Sequence, residues 1–127
     1  MNPKNLKYTK EHEWVKIEGD IAVVGVTDFA QHELTDVVFV ELPAVGKKAT
    51  ASTPIAVIES VKSVSDIFAP VSGEIIEVNN SIVDAPEIIN KDPYGKGWML
   101  KIKVEDKKEA EQLLSAEQYE EFIKEAH

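Results

Sequence analysis

The chain has 127 residues, a net charge of −9 and no cysteine, and its 14 Lys/Arg residues are all lysines. An acidic chain without arginine lacks the bidentate phosphate clamp, so neither nucleic acid nor an anionic membrane surface is an expected partner. Without cysteine there is no disulfide, thiolate nucleophile or cysteine-ligated metal, so any redox chemistry must be done by a bound or attached group.

Short strands are predicted along the first two-thirds of the chain. Residues 13–18 alternate in polarity, with Trp14 on the face opposite Val15 and Ile17. A Gly-Asp pair then joins this strand to a second one over 21–26, which predicts a hairpin. Further strands are predicted over 37–42, 55–58, 73–78 and 98–104. In the last of these, one face is predicted to hold Trp98, Leu100, Ile102 and Val104, with Met99, Lys101 and Lys103 on the other.

Two helical regions are predicted. Thr27-Asp28 caps a short helix over 29–34, with Gln31 three residues after Asp28. A C-terminal helical segment covers about 106–126, where Ser115 and Gln118 form a capping box before apolar residues at helical spacing. Residues 83–97 have little periodicity and are expected to be a surface excursion. Strands with these helical additions predict a mostly β fold, a small sandwich or barrel in one domain over 1–127.

The location of the chain is also predicted from its sequence. No apolar run approaches the roughly 18 residues that a membrane span requires. The first residues have neither the apolar region of a signal peptide nor an Arg/Ser-rich transit segment. We expect a cytoplasmic, bacterial-type monomer.

Several catalytic patterns fail. His32-Glu33 begins like a zinc-protease helix, but Asp36 stands where the second histidine is needed. His12, His32 and His127 have no metal-ligand spacing, so no metal site is predicted. Nucleophile elbows and phosphate-binding loops are absent from the sequence. A stand-alone enzyme that uses the acidic residues around His12 and His32 stays open as an alternative.

Lys62 has an unusual setting. It lies near the middle of residues 59–66, between the predicted strand over 55–58 and a segment that leads into the strand over 73–78, in a stretch without Gly, Pro or Asn. If the chain reverses there, Lys62 is at the tip of a hairpin and its ammonium points away from the protein on a flexible stem. That geometry suits an amine that another enzyme acylates, although most exposed lysines are only solvated charges.

Residues 59–66, followed by 69–74, resemble the lipoylation signature of the H-protein family of the glycine cleavage system. Three flanking blocks agree in the right order, at residues 7–15, 25–46 and 90–99. Biotin carriers have Met on both sides of the lysine, whereas here the neighbours are Val61 and Ser63. Lipoyl domains of 2-oxoacid dehydrogenases usually lack the His-Glu-Trp block seen here at 12–14.

The resemblance implies a fold and a function. The fold is a lipoyl/biotinyl-type flattened β-barrel of two antiparallel sheets, with short helices and a C-terminal helix. Lys62 carries lipoate in amide linkage, and the protein is a non-catalytic carrier rather than an enzyme. Its arm takes an aminomethyl group from the PLP-dependent glycine decarboxylase (P protein) to the tetrahydrofolate-dependent aminomethyltransferase (T protein). Dihydrolipoyl dehydrogenase (L protein) then reoxidises it, after a lipoate-attaching enzyme has loaded the lysine.

An H-like lipoyl donor that relays lipoate to other complexes would use the same residues, and this alternative stays open.

The resemblance also assigns site residues. Glu13 and Asp66 are candidates to line the arm's cleft and to face the aminomethyl nitrogen, because a cationic amine needs carboxylates near it. Glu59 and Gly73 match positions linked to recognition by the lipoate-attaching enzyme. The chain departs from many members at three positions: Glu11 replaces a common Ser, Phe29 a His or Tyr, and Thr35 a frequent Gly. Glu11 is expected to point to solvent, and a third carboxylate that holds the amine more firmly is the alternative.

Overall fold

A computed structural model of the chain describes residues 2–126. The strands form two antiparallel sheets, as predicted from the resemblance. The larger sheet has six strands in the order β1-β2-β3-β9-β8-β5. Their bounds are Lys7–Tyr8 (β1), Glu13–Glu18 (β2), Ile21–Val26 (β3), Lys48–Ala49 (β5), Gly73–Val78 (β8) and Leu100–Val104 (β9).

The smaller sheet contains the hairpin that carries Lys62. Its three strands lie in the order β4-β6-β7, with bounds Val37–Glu41 (β4), Pro54–Ser60 (β6) and Val64–Phe68 (β7). β6 and β7 pair antiparallel from Pro54↔Phe68 to Glu59↔Val64, so the chain reverses at residues 61–63. Three further strands, β1, β5 and β7, were not predicted from the sequence.

The core lies between the inner faces of the two sheets. Val15, Ile58, Ile75 and Ile102 are fully buried there. A second apolar cluster lies on the other face of the large sheet, where Trp14 packs with tyrosines and the C-terminal helix. The predicted opposition of Trp14 and Val15 is therefore confirmed, and each face of β2 has its own cluster.

Five helices within residues 2–126 complete the fold: Asp28–Leu34 (α1), Ser81–Asp84 (α2), Ile88–Lys91 (α3), Lys107–Glu111 (α4) and Ala116–Ala126 (α5). α1 begins after Thr27, whose hydroxyl accepts the Ala30 N–H at 3.1 Å. The predicted capping box of α5 is confirmed: Ser115 N–H donates to the Gln118 side chain at 2.9 Å, and Gln118 N–H donates to the Ser115 hydroxyl at 3.2 Å. No helix of this described range has the length and apolar run needed to cross a membrane.

Two local predictions are wrong. Residues 83–97 are more than a surface excursion, because the short helix α3 buries Ile89 in the main core. The last strand, β9, begins at Leu100 and not at Trp98, where the sequence predicted its start. Trp98 packs in the second cluster, whereas Leu100 is in the main core. The Asn79 side-chain amide donates to the carbonyls of Lys96 and Trp98, at 2.8 and 2.7 Å, and so holds this stretch out of the strand.

Candidate functional site

Lys62 is at the tip of the β6–β7 hairpin, and the side chain of Ser60 closes the turn. The Ser60 hydroxyl accepts the N–H groups of Lys62 at 3.2 Å and Ser63 at 3.0 Å. The Ser60 N–H donates to the Ser63 carbonyl at 2.8 Å. A serine hydroxyl that binds the backbone two or three residues ahead substitutes for the usual turn residues. This explains how the chain reverses without Gly, Pro or Asn.

The tip is also tied to the end of helix α1. The Val61 N–H donates to the Asp36 carbonyl at 3.0 Å. The Lys62 ammonium donates to the Glu33 carbonyl at 3.4 Å, so the exposed side chain lies back against α1 rather than pointing away from the protein as expected. The long contact favours a side chain that is easily displaced, because hydrogen bonds weaken at such distances.

A cleft of about 460 Å³ begins beside Lys62, between α1, β7 and residues 11–12. Its apolar lining includes Phe29, Leu34 and Ile67, which come from α1 and β7. Its polar lining residues are Glu11, His12, Glu33, Ser63, Ser65 and Asp66. An apolar floor with carboxylates on its walls suits a ligand that is apolar along its length and cationic at its end.

Asp66 and Glu13, both predicted from the resemblance, lie in different cavities. Asp66 lines the cleft beside Lys62, whereas Glu13 lines a neighbouring cavity of about 300 Å³. Phe68 lines both cavities and separates the two carboxylates. Glu11 also lines both, and its side chain is exposed, as expected.

Glu13 is almost completely buried, with 1% of its surface exposed. Its carboxylate accepts the Thr9 hydroxyl at 2.6 Å and the Phe68 N–H at 3.1 Å. Burial raises the pKa of the Glu13 carboxyl to about 7, although both hydrogen bonds lower it. Glu13 therefore fixes the backbone of Phe68, the residue that forms the wall between the two cavities.

His12 joins the cleft to the C-terminal helix. Its Nδ1 lies 2.7 Å from the Tyr119 hydroxyl, which lies 2.8 Å from the Thr27 hydroxyl at the cap of α1. Burial raises the pKa of Tyr119, so the phenol keeps its proton in the neutral range. The His12 ring also packs on Phe29, with ring centroids 4.7 Å apart. Phe29 therefore serves as a packing partner of His12 and as part of the cleft wall.

His32, the second histidine of the alternative enzyme hypothesis, lies outside the cleft. The His32 side chain is exposed, 3.8 Å from Asp28 on the same helix, and does not line the cleft. Within residues 2–126, no three side chains of the His, Asp or Glu type gather as metal ligands. His127 lies outside the described residues.

Thr35 ends α1 in a conformation that favours glycine, with φ 65° and ψ −148°. Asn90 holds this segment in place. Its side-chain nitrogen donates to the Thr35 carbonyl at 2.8 Å and its side-chain oxygen accepts the Val37 N–H at 2.9 Å. The family's frequent glycine at position 35 thus has a backbone reason, which this chain overrides through Asn90.

The two residues predicted to guide lipoate attachment differ in exposure. Glu59 is exposed on β6, directly between Phe39 on β4 and Val64 on β7. Gly73 is buried, and a Cβ atom there would lie 1.9 Å from the Lys103 carbonyl oxygen. The pairing of β8 with β9 therefore requires glycine at position 73.

The matched blocks of sequence meet around the same site. The Trp14 indole N–H donates to the Pro93 carbonyl at 2.9 Å, and the Tyr94 hydroxyl accepts the Asp28 N–H at 3.0 Å. Residues 90–99 thus support both β2 and the start of α1. Sequence reasoning identified the blocks but not these contacts.

The comparisons with known proteins agree with this geometry. The family profile described as Glycine cleavage H-protein matches residues 6–126. The chain is 54% identical over 123 residues to the glycine cleavage system H protein of Halothermothrix orenii, covering 97% of this chain and 96% of that protein. It is 50% identical to the protein of the same name from Carboxydothermus hydrogenoformans, covering 97% and 95%.

A solved structure agrees as well. The crystal structure of a glycine cleavage system H protein from Mycobacterium marinum matches with a TM-score of 0.83 and 41% sequence identity, covering 93% of this chain and 95% of that chain. The chain therefore belongs to the glycine cleavage H-protein family.

Proposed function

We propose that the chain is a non-catalytic lipoyl carrier of the glycine cleavage system, with lipoate attached to Lys62. The observation that carries the proposal is the position of Lys62: exposed, at the tip of a three-residue turn, beside a cleft with an apolar floor and carboxylate walls. The turn presents the amine, and the cleft provides a place for what is attached to it.

The residues around Lys62 fit a lipoyl group. The amine is accessible and its one contact in this region is a long bond to the Glu33 carbonyl, at 3.4 Å. Phe29, Leu34 and Ile67 give an apolar surface for a hydrocarbon chain and a dithiolane. When attached, lipoate supplies a disulfide that accepts a one-carbon amine unit together with two electrons.

The residues of the chain hold and shelter the arm. Asp66 and Glu33 line the cleft, and their carboxylates are proposed to stabilise a cationic amine at the end of the arm. Glu11, where the family commonly has serine, lines the same cleft but has an exposed side chain, so we assign it no role in holding the amine. Glu13 does not line the cleft itself. It acts indirectly, because its hydrogen bond with the Phe68 N–H fixes a residue that lines the cleft.

The proposed partners follow from the family. They are the PLP-dependent glycine decarboxylase, the tetrahydrofolate-dependent aminomethyltransferase, dihydrolipoyl dehydrogenase and a lipoate-attaching enzyme. A chain with a net charge of −9 favours partners with basic docking surfaces. We also propose that residues 1–127 work as a monomer and form one domain; the continuous core across both sheets supports the single domain.

A reconstituted glycine cleavage assay tests this function. Lipoylated wild-type chain and the Lys62→Arg variant, treated in the same way, are each combined with the three enzymes, and glycine-dependent reduction of NAD is followed. The wild-type chain is expected to support turnover, and the variant to support none while keeping the same circular dichroism. Turnover by the variant would contradict the proposal. Lys47→Arg, in an exposed turn, is the matched control and should retain full activity.

A further inference from the structure

The outer face of the three-stranded sheet is a mixed apolar and acidic surface. Residues directly opposite each other on paired strands share a face. Two such rows cross the sheet, and together they define the outer face: Phe39–Glu59–Val64 and Glu41–Val57–Asp66. Asp66 is on the edge strand β7, so it borders both this face and the cleft. The rows alternate, so that each acidic residue has apolar neighbours. Phe39 is 48% exposed and Val64 is 64% exposed, which is unusual for large apolar side chains in strands.

The charged residues of the outer face are all acidic. Lys62 is the only lysine in residues 49–90, and residues 17–46 contain none. In the part of the chain that the structure describes, Glu41, Glu59 and Asp66 enter no ion pair. A partner for this face therefore needs an apolar centre surrounded by Lys or Arg side chains.

The position of the face next to Lys62 identifies the partner. An enzyme that acylates the lysine must bring its acyl carbon to within about 3–3.5 Å of Nζ, so its surface has to cover the neighbouring residues. Those residues include Val61, which is 68% exposed at the tip, and the Phe39–Glu59–Val64 row at the end of the sheet nearest the tip. Enzymes that act on the far end of a long arm carry no such requirement.

We propose that the outer face, with Val61 at its tip, is the docking surface for the lipoate-attaching enzyme. This inference rests on the proposed function. Phe39 and Val64 supply apolar contact on both sides of Glu59, which supplies the charge. Of the residues on this face, the resemblance marks only Glu59 for recognition, so the structure adds the two apolar flanks and Glu41.

Lipoylation kinetics test the surface. The apo chain and its Phe39→Thr, Val64→Thr and double variants are incubated with a lipoate–protein ligase, lipoate and ATP, over a range of chain concentrations. Val64→Thr keeps the side-chain shape and a β-branched residue in the strand. We expect KM for the double variant to rise about tenfold or more, with kcat unchanged. Ile17→Thr, which replaces a 41% exposed apolar residue on β2 of the other sheet, should leave KM within about twofold.

The contribution of the acidic residues Glu41 and Glu59 is tested separately, through the dependence of KM on salt. KM of the wild-type chain should rise with salt, and the rise should be smaller for a Glu41→Gln/Glu59→Gln variant. An unchanged KM in the double threonine variant, or a fall in kcat alone, would overturn the inference. So would a rise in KM only for the glycine decarboxylase step, because the face would then belong to that enzyme. If the ligase leaves even the folded wild-type chain unmodified, the proposed function itself fails.

Discussion

The hydroxyl of Ser60 accepts the backbone N–H of Lys62 at 3.2 Å, so a buried serine sets the position of the exposed lysine. The same hydroxyl accepts the Ser63 N–H at 3.0 Å and donates to the Ser63 carbonyl at 3.2 Å. One side chain thus satisfies several backbone groups of a three-residue turn. Presentation of Lys62 depends on a residue that would not itself contact lipoate.

Replacing this hydroxyl should loosen the turn. Ser60→Ala leaves two backbone N–H groups without their acceptor, which should lower the free energy of unfolding by about 1–2 kcal/mol. The same change should lower kcat/KM for lipoylation, because the amine is less well positioned. Ser63→Ala is the matched control, since the turn uses only the backbone of Ser63. Equal effects of both substitutions, measured by urea unfolding and by lipoylation, would contradict the assigned role of Ser60.

The buried carboxyl of Glu13 should make stability depend on pH. Its pKa is about 7 in the folded chain, above the ordinary value of 4.5, so the folded state holds the proton more tightly than the unfolded state. The free energy of unfolding should therefore fall as pH rises from 4.5 to 7, by at most on the order of 3 kcal/mol from this group.

Glu13→Gln should flatten this dependence. The amide oxygen can accept the Phe68 N–H and the amide nitrogen can donate to Thr9, as a protonated carboxyl would. Urea unfolding between pH 4.5 and 8 should show a smaller decline for the variant than for the wild type. Parallel curves for the two proteins would show that Glu13 keeps an ordinary pKa. Glu41→Gln, at an exposed position on β4, should leave the decline in place.

Replacing Thr35 by glycine should stabilise the folded chain. Its backbone, with φ 65° and ψ −148°, is in a region that only glycine enters readily. Relief of this strain exceeds the entropy that glycine adds to the unfolded chain, so Thr35→Gly should raise the free energy of unfolding by about 1 kcal/mol. Thermal unfolding measures the change. Thr50→Gly, at an exposed position with no positive φ, should instead be destabilising. Loss of stability in Thr35→Gly would be the contrary result.

Gly73 should tolerate no side chain. A Cβ atom would lie 1.9 Å from the Lys103 carbonyl oxygen, a backbone atom that can move only if β8 and β9 separate. We expect Gly73→Ala to lower the free energy of unfolding by about 3 kcal/mol or more. Gly19→Ala, where a Cβ meets nothing within 4 Å but φ is +66°, should cost only about 1 kcal/mol. Equal losses in urea unfolding would argue against the close approach.

Comparable stability of Gly73→Ala and the wild type, combined with lost lipoylation, would identify Gly73 as a recognition residue alone. The predicted loss of stability would assign it first to the pairing of β8 with β9.

The sequence predicted those features that local rules determine. The alternation of β2, the β2–β3 hairpin and the Ser115–Gln118 capping box all depend on residues close together in the chain. The setting of residues 59–66 predicted Lys62 at a hairpin tip, and the resemblance added the two antiparallel sheets. The strand over Trp98 failed because Asn79, nineteen residues away, overrides local alternation.

The site was less predictable than the fold. The Ser60 turn was missed because its signal is a side-chain hydroxyl in a serine-rich stretch rather than Gly, Pro or Asn. The separation of Glu13 from Asp66 was missed because it depends on Phe68, which lines both cavities and whose N–H donates to the Glu13 carboxylate, 55 residues away in sequence. The role of Asn90 likewise depends on contacts 53 and 55 residues away in sequence.

The most direct test of the central claim is the mass of the intact chain, with peptide fragmentation, after incubation with a lipoate-attaching enzyme, lipoate and ATP. We predict one lipoyl group per chain, located on Lys62, and none on the other 13 lysines. A folded chain that stays unmodified, or that carries lipoate on a different lysine, would contradict the assignment of Lys62 as the attachment site.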